Sequence, residues 1–196
     1  MKKVYTNDMV AHLWAQQSQS EAHNIQRNFY FEGTAIYSYN SHFPIARRVN
    51  KDTVLFTTRR YSVTTAKHIK IVRCAIPVRL TIIHCEDVLA EGTSHVRNLT
   101  TMKTEFIALL DKALRSRKYT KHYLEQAEEM VCNHTAYRCL FKITKKQALP
   151  LSISTNWQVD AKKRVDAQLT EAKRRADIEK EHKARIHVQA LAELEE

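Results

Sequence analysis

The stretch NFYFEGTAIYSYNSHFPIARRVNKDTVLFTT, residues 28–58, decides the fold. Aromatic and β-branched residues crowd it, and turn-forming residues punctuate it at short intervals. Asn28 to Glu32 and Thr34 to Tyr39 read as strands around the turn at Glu32-Gly33. Phe43 to Val49 and Thr53 to Thr58 read as a second pair joined by Asn50-Lys51-Asp52. Pro44 lacks the N–H that a ladder needs, which assigns it to an edge or strand-entry position. The pattern predicts a four-stranded antiparallel meander.

The surrounding stretch, residues 27–80, is strongly basic. Ten Lys and Arg against Glu32 and Asp52 give it +8 of the chain's +11. It also holds eight of the fourteen Phe and Tyr residues: Phe29, Tyr30, Phe31, Tyr37, Tyr39, Phe43, Phe56 and Tyr61. Cations mixed with flat rings suit a polyanion whose bases can stack, so nucleic acid is the leading partner. By alternation Phe29 and Phe31 share one sheet face and Tyr30 the other. Phe29, Phe31, Tyr37, Tyr39 and Phe56 could form an exposed stacking platform, but core packing is the expected role of most of them, with Tyr30, Tyr37 and Tyr39 better suited to water.

Outward from the meander the period changes. Before it, Asn7 reads as the cap of a short helix whose Val10, Leu13 and Trp14 share a face, followed by a polar loop from Ser18 to Asn28. After it, Ser62 reads as an N-cap, with Ala66, Ile69, Val72 and Ile76 on the buried face and Pro77 ending the helix. Val78, Leu80 and Ile82 then alternate as the inward side of a half-buried strand. Met102, Phe106, Leu109, Leu110 and Ala113 form one helical stripe, and Tyr123, Leu124, Ala127, Met130, Val131 and His134 another. These predict an antiparallel helical pair joined near Ser116 to Tyr119. Residues 157–196 contain no Gly or Pro and balance nine basic against nine acidic residues. Val165, Leu169, Ala172 and Ala176 start a coiled-coil seam that Glu179 and Lys183 end. The tail therefore reads as a long solvated helix held by pairs such as Glu171 with Arg175, with Ile186, Val188, Leu191 and Leu194 as apolar surface near its end.

The expected class is α+β: an antiparallel β-meander with a basic helix, then a helical hairpin and a long charged C-terminal helix. The expected divisions are 1–98, 99–150 and 151–196.

Glycine occurs only twice, at Gly33 and Gly92, which excludes glycine-rich phosphate loops and dinucleotide fingerprints. Cys74, Cys85, Cys132 and Cys139 are sparse and carry no Cys-x-x-Cys spacing, so they read as reduced thiols rather than metal ligands. Cys132 and Cys139, seven residues apart, read as small buried hydrophobes on one helical face. No apolar run reaches membrane-spanning length, and the start shows no secretory core, which points to a reducing cytoplasm. Neither Gly-x-Ser-x-Gly nor His-Glu-x-x-His is present, so the reading is non-enzymatic, without metal or cofactor.

The candidate nucleic-acid contacts are Arg47, Arg48, Arg59, Arg60, Tyr61, Lys67, Lys70 and Arg73. A helix beginning at Ser62-Val63-Thr64-Thr65 offers free N–H groups and a positive dipole end to a phosphate, unless its hydroxyls simply cap the helix. Arg59 and Arg60 before it add charge-assisted donors. Lys67, His68, Lys70 and Arg73 read as a cationic stripe along it.

Four segments together resemble small uncharacterised proteins encoded by tailed bacteriophages. They are Asn7-Asp8-Met9-Val10-Ala11-His12-Leu13-Trp14-Ala15-Gln16-Gln17-Ser18-Gln19, Ile36-Tyr37-Ser38-Tyr39, Phe43-Pro44-Ile45-Ala46 and Tyr61-Ser62-Val63-Thr64-Thr65-Ala66-Lys67-His68. The likeness covers roughly the first eighty residues and brings no assigned activity. It implies an infected bacterial cytoplasm, with a role in phage DNA metabolism or host takeover. A second reading follows from that setting: an inhibitor or adaptor that binds an acidic host protein. The C-terminal helix could also pair with a second copy of the chain.

Overall fold

The computed structural model describes residues 2–39 and 43–192, and the side chains of these except at 169 and 187–192. The chain forms two compact units, Met1–Thr104 with Met130–Leu151 and Glu105–Glu129 with Ser152–Glu196.

The first unit is built on a seven-stranded sheet whose strands lie in sequence order, β1 (Val4–Tyr5), β2 (Glu21–Asn24), β3 (Phe29–Glu32), β4 (Ala35–Ser38), β5 (Pro44–Arg48), β6 (Thr53–Thr57) and β7 (Thr81–Cys85). The four strands expected from the sequence are β3 to β6, and Pro44 stands at strand entry as expected. Gly33, at φ +55°, opens the two-residue turn between β3 and β4. Strands β2 to β6 run antiparallel, whereas β1 is parallel to β2 and β7 to β6. Each parallel pair is joined by a helix: α1 (Asn7–Gln16) for the first and α2 (Val63–Ala75) for the second. Both crossovers step the same way across the sheet between strands pointing the same way. Right-handed connection therefore puts both helices on one face. Val10, Ala11 and Trp14 of α1 and Val72 of α2 do share one core with Phe29, Phe31, Ile36, Val54 and Phe56.

The opposite face of β6 and β7 is covered within the same unit by parts of α3 (Ser94–Arg115) and α4 (Thr120–Leu140), where Leu55, Ile83 and Cys85 pack with Leu99, Met102 and Tyr137. Covering both faces explains the continuous apolar run of β6. It also buries both sides of β7, while Leu80 and Ile82 keep the inward phase that the alternation predicts. Val78 lies outside the strand and fully exposed, and Ile82 and Ile83 point to the two different cores.

Three further local expectations change. The α1 cap is Thr6, whose Oγ1 accepts from Met9 N–H, while Asn7 Oδ1 accepts from Asn24 Nδ2 at 2.9 Å. The polar segment read as a loop contains β2. Cys132 and Cys139 are exposed, because Met130, His134 and Tyr137 form the inner side of α4 in this unit, with Phe141 just beyond its end. Pro77 does end α2, whose C-cap Ile76 is already extended.

In the second unit Phe106, Leu110, Ala113, Ala127 and Ala161 are buried, and Arg164 bonds Asp111 at 3.1 Å. The tail helix α5 (Trp157–Ala192) is mostly exposed, and Glu171 pairs with both Arg174 and Arg175. Ile186 is exposed, while the side chains of Val188 and Leu191, and all of Leu194, lie outside the described residues. Among the described residues no helix is long and apolar enough to cross a membrane.

Candidate nucleic-acid interface

The inner face of α2 is set by Thr65, His68 and Val72, with Ile76 just beyond the helix end. Residues Val63, Ala66, Lys67, Lys70, Arg73 and Cys74 fall on the outward side at the helical repeat, and all are exposed. Lys67, Lys70 and Arg73 follow an i+3 ridge, so their charges run obliquely along the helix. Ala66, expected inward, is thus outward, and Thr65 takes its place.

His68, expected in the cationic stripe, belongs to the core. Its Nδ1 lies 2.7 Å from Ser38 Oγ, and its ring is 4.5 Å from that of Phe29. Burial lowers its pKa and favours the neutral ring. The stripe is therefore lysine and arginine alone.

The approach to α2 continues the surface. Arg59, Arg60 and Tyr61 are exposed, Tyr61 by 80%. The Arg59 guanidinium sits 5.5 Å from the centre of the Phe43 ring, which lies 6.1 Å from the Tyr61 ring. That arrangement holds a cation and a ring together without neutralising the charge. No carboxylate occurs between Asp52 and Glu86 in the sequence. Among the described residues, none of Arg59, Arg60, Lys67, Lys70 and Arg73 is in an ion pair. At the helix start, Ser62 Oγ accepts from Thr65 N–H at 3.1 Å and lies 3.0 Å from Thr65 Oγ1. These two hydroxyls cap α2.

Arg47 and Arg48 lie elsewhere. Adjacent residues of a strand point to opposite faces. Arg47 lies opposite Leu55, on the α3 side, and its Nη2 donates to Ala90 O at 3.2 Å. Arg48 lies opposite Val54, on the α1 side, and donates to Ala15 O and Lys51 O, each at 2.8 Å. The structure thus gathers Arg59, Arg60, Tyr61, Lys67, Lys70 and Arg73 on and before α2, and separates Arg47 and Arg48 from them. Period-two alternation already held the signal that Arg47 and Arg48 cannot both lie on the α2 side of the sheet.

Of the rings, Phe29, Phe31 and Phe56 are buried in the core as expected. Tyr30 and Tyr37 are half-buried and stack on each other at 5.1 Å, and Tyr39 is exposed. Among the described residues no cluster of three or more His, Cys, Asp or Glu could hold a metal ion. One cluster escaped the sequence reading: His95 and Asn98, at the start of α3, meet Tyr137 of α4 next to Arg47.

A family model, that of a family of unknown function (DUF8033), matches residues 10–75. The matched segment runs from Val10 in α1 to Ala75, the last residue of α2, and so includes the whole basic ridge. No curated protein and no solved structure matches the chain.

Proposed function

We propose that this chain is a non-enzymatic nucleic-acid-binding protein that grips the phosphate backbone with the outer face of α2 and the segment leading into it. Arg59, Arg60, Lys67, Lys70 and Arg73 supply the charge, and Tyr61 supplies a ring on which a base can stack. The observation that carries this reading is five exposed cations on one stretch of surface, without a carboxylate partner among the described residues. Isolated charged residues are ordinary, but five of one sign with no opposing charge make a field that attracts a polyanion. The contacts are with phosphates, so binding is not sequence-specific. In the tailed-phage setting that the sequence likeness implies, the ligand would be phage or host nucleic acid.

The test is binding of the full chain to a mixed-sequence oligonucleotide, followed by fluorescence anisotropy as salt is raised. Counterion release predicts a log–log slope of about −0.9 per phosphate contacted on duplex DNA, so five contacts give about −4 to −5. Arg59→Glu with Arg60→Glu should abolish most of the binding. Binding indifferent to both salt and this double change would sink the proposal.

A second reading rests on Val63 and Val78, which are 77% and 103% exposed at the two ends of the ridge. Apolar side chains beside uncompensated cations also suit an acidic protein surface, such as a host factor. Stoichiometric capture of one protein, with no nucleic acid retained and with loss on Val63→Asp, would favour it over the first.

A further inference from the structure

On the sheet face away from α2, a cleft of about 440 Å³ is lined by Thr34, Arg47, Val49, Glu91, His95 and Phe141. Arg47 enters it with only 18% of its side chain exposed. One N–H of Nη2 is taken by Ala90 O, and Nη1 is 4.0 Å from Glu91 Oε1. Its Nε is buried and has no acceptor among the described residues. A guanidinium has five donors, and the one on Nε is left unused where water has no access.

His95 is held beside it in a defined protonation state. Asn98 Oδ1 accepts from Asp87 N–H at 2.9 Å, which fixes the carboxamide with Nδ2 as donor. That Nδ2 donates to Tyr137 Oη at 2.7 Å. With Tyr137 Oη already accepting, its own hydrogen has His95 Nδ1, at 2.9 Å, as acceptor. Burial pushes the phenol up to about 12, which keeps that hydrogen in place. In the tautomer that gives the Tyr137 hydrogen this acceptor, the neutral ring carries its proton on Nε2, which has no partner among the described residues. Phe141 stacks on the ring at 3.9 Å and fixes its plane.

We propose that this cleft binds the phosphate group of a small phosphate monoester, through the Arg47 guanidinium and the Nε2–H of His95. The two donors come from different elements, β5 and α3, and suit an acceptor with several oxygens. The volume lies within the range of small-molecule sites and exceeds what a bare ion needs. Phe141 and Val49 give the organic part an apolar wall. Glu91, 87% exposed, is the one carboxylate in the cleft and opposes the ligand. The site is independent of the proposed α2 interface, because Arg47 and α2 lie on opposite faces of the sheet.

The test follows the His95 ring resonances of the full chain by NMR during titration with AMP, inorganic phosphate, a 5′-phosphorylated trinucleotide and adenosine. The expected result is a saturable shift with the phosphorylated probes and none with adenosine. The tightest of the three identifies the source, whether a free nucleotide, the ion or a strand end. Arg47→Lys and His95→Asn should each weaken AMP about tenfold, as loss of a charge-assisted or fixed donor does. Glu91→Gln should tighten it severalfold, an effect that a merely structural role for Arg47 would not produce. Glu91 is exposed, so this variant decides the matter even where Arg47→Lys does not fold. Arg59→Glu with Arg60→Glu should leave the titration unchanged, which separates this site from the nucleic-acid interface. No His95 shift with any phosphate, or equal shifts with adenosine and AMP, would overturn the proposal.

Discussion

Ser38 Oγ and His68 Nδ1 lie 2.7 Å apart in the core, tying the last residue of β4 to the inner side of α2. The pair keeps the helix seated while its opposite side carries Lys67, Lys70 and Arg73. It also makes stability depend on pH. Burial lowers the His68 pKa, so the unfolded chain, with histidine near 6.5, binds this proton more readily than the folded one. The stabilisation is complete above that value and is lost as pH falls from it toward the depressed native pKa. His95 and His134 are shifted the same way, by burial first and a neighbouring arginine second. Urea midpoints should therefore drop between about pH 7 and about pH 5. His68→Gln, which keeps an acceptor for Ser38, should make that drop shallower. An unchanged slope would show that His68 does not titrate differently on folding.

Asn133 of α4 clamps the outer strand β7. Its Nδ2 donates to His84 O and its Oδ1 accepts from His84 N–H, both at 2.7 Å. The carboxamide thereby replaces a neighbouring strand for one residue of the sheet edge. Asn133→Ala leaves a half-buried donor and acceptor without that partner, at a cost of about 2–4 kcal/mol for the two. Asn133→Asp can only accept, so it should cost nearly as much despite its similar shape. Thermal unfolding of the two variants checks this, and a loss confined to Asn133→Ala would contradict the hydrogen-bond account.

Gly33 has φ +55°, and a Cβ there would meet nothing within 4 Å. Any penalty for a side chain is therefore backbone strain rather than crowding. Gly33→Ala should cost about 1–2 kcal/mol, and Gly33→Asn less, since asparagine tolerates the left-handed region. Trp14 Nε1 donates to Thr34 O at 2.8 Å in the same turn, so α1 holds the hairpin in this conformation. Denaturant titrations that rank Asn with Ala would argue against a purely conformational cost.

How much of this was legible depended on which force shaped each segment. The meander and α2 could be read because local rules agree there: alternation, a glycine turn, a serine cap and a proline stop. Strand β2 could not, because its residues Glu21 to Asn24 are almost all polar and its strand character comes from pairing. Asn24 in particular is buried as a hub, with Oδ1 accepting from Asn28 N–H and Phe29 N–H and Nδ2 donating to Asn7 and Asn28. Such a residue looks like a turn former in sequence. The burial of Ile83 was hidden because two cores claim the two sides of β7. The cleft at Arg47 and His95 had no sequence signal at all, since Tyr137 reaches His95 across 42 positions of chain. Convergence into one continuous groove or ridge was expected of cations distant in the primary chain. It fails for Arg47 and Arg48, which alternation divides between opposite faces.

Arg48 and Arg60 make a paired prediction from that division. Arg48 is spent on main-chain carbonyls: Nη1 on Ala15 O and Nη2 on Lys51 O, both at 2.8 Å, with Nε 3.4 Å from Asn50 O. It ties the end of α1 to the β5–β6 turn. Arg48→Lys keeps the charge but cannot reach all three acceptors, so it should destabilise the fold by about 1–3 kcal/mol, as loss of charged-group hydrogen bonds does. The folded fraction should bind oligonucleotide as well as the unaltered chain. Arg60 is exposed and in no ion pair among the described residues, so Arg60→Glu should leave the unfolding midpoint nearly unchanged. Its effect should appear in binding, as a shallower salt dependence by at least about 0.9 in slope. Measuring urea unfolding and anisotropy on both variants separates a scaffold arginine from a contact arginine. An Arg48 variant that folds normally yet loses binding would place the interface at the end of α1 and the β5–β6 turn instead.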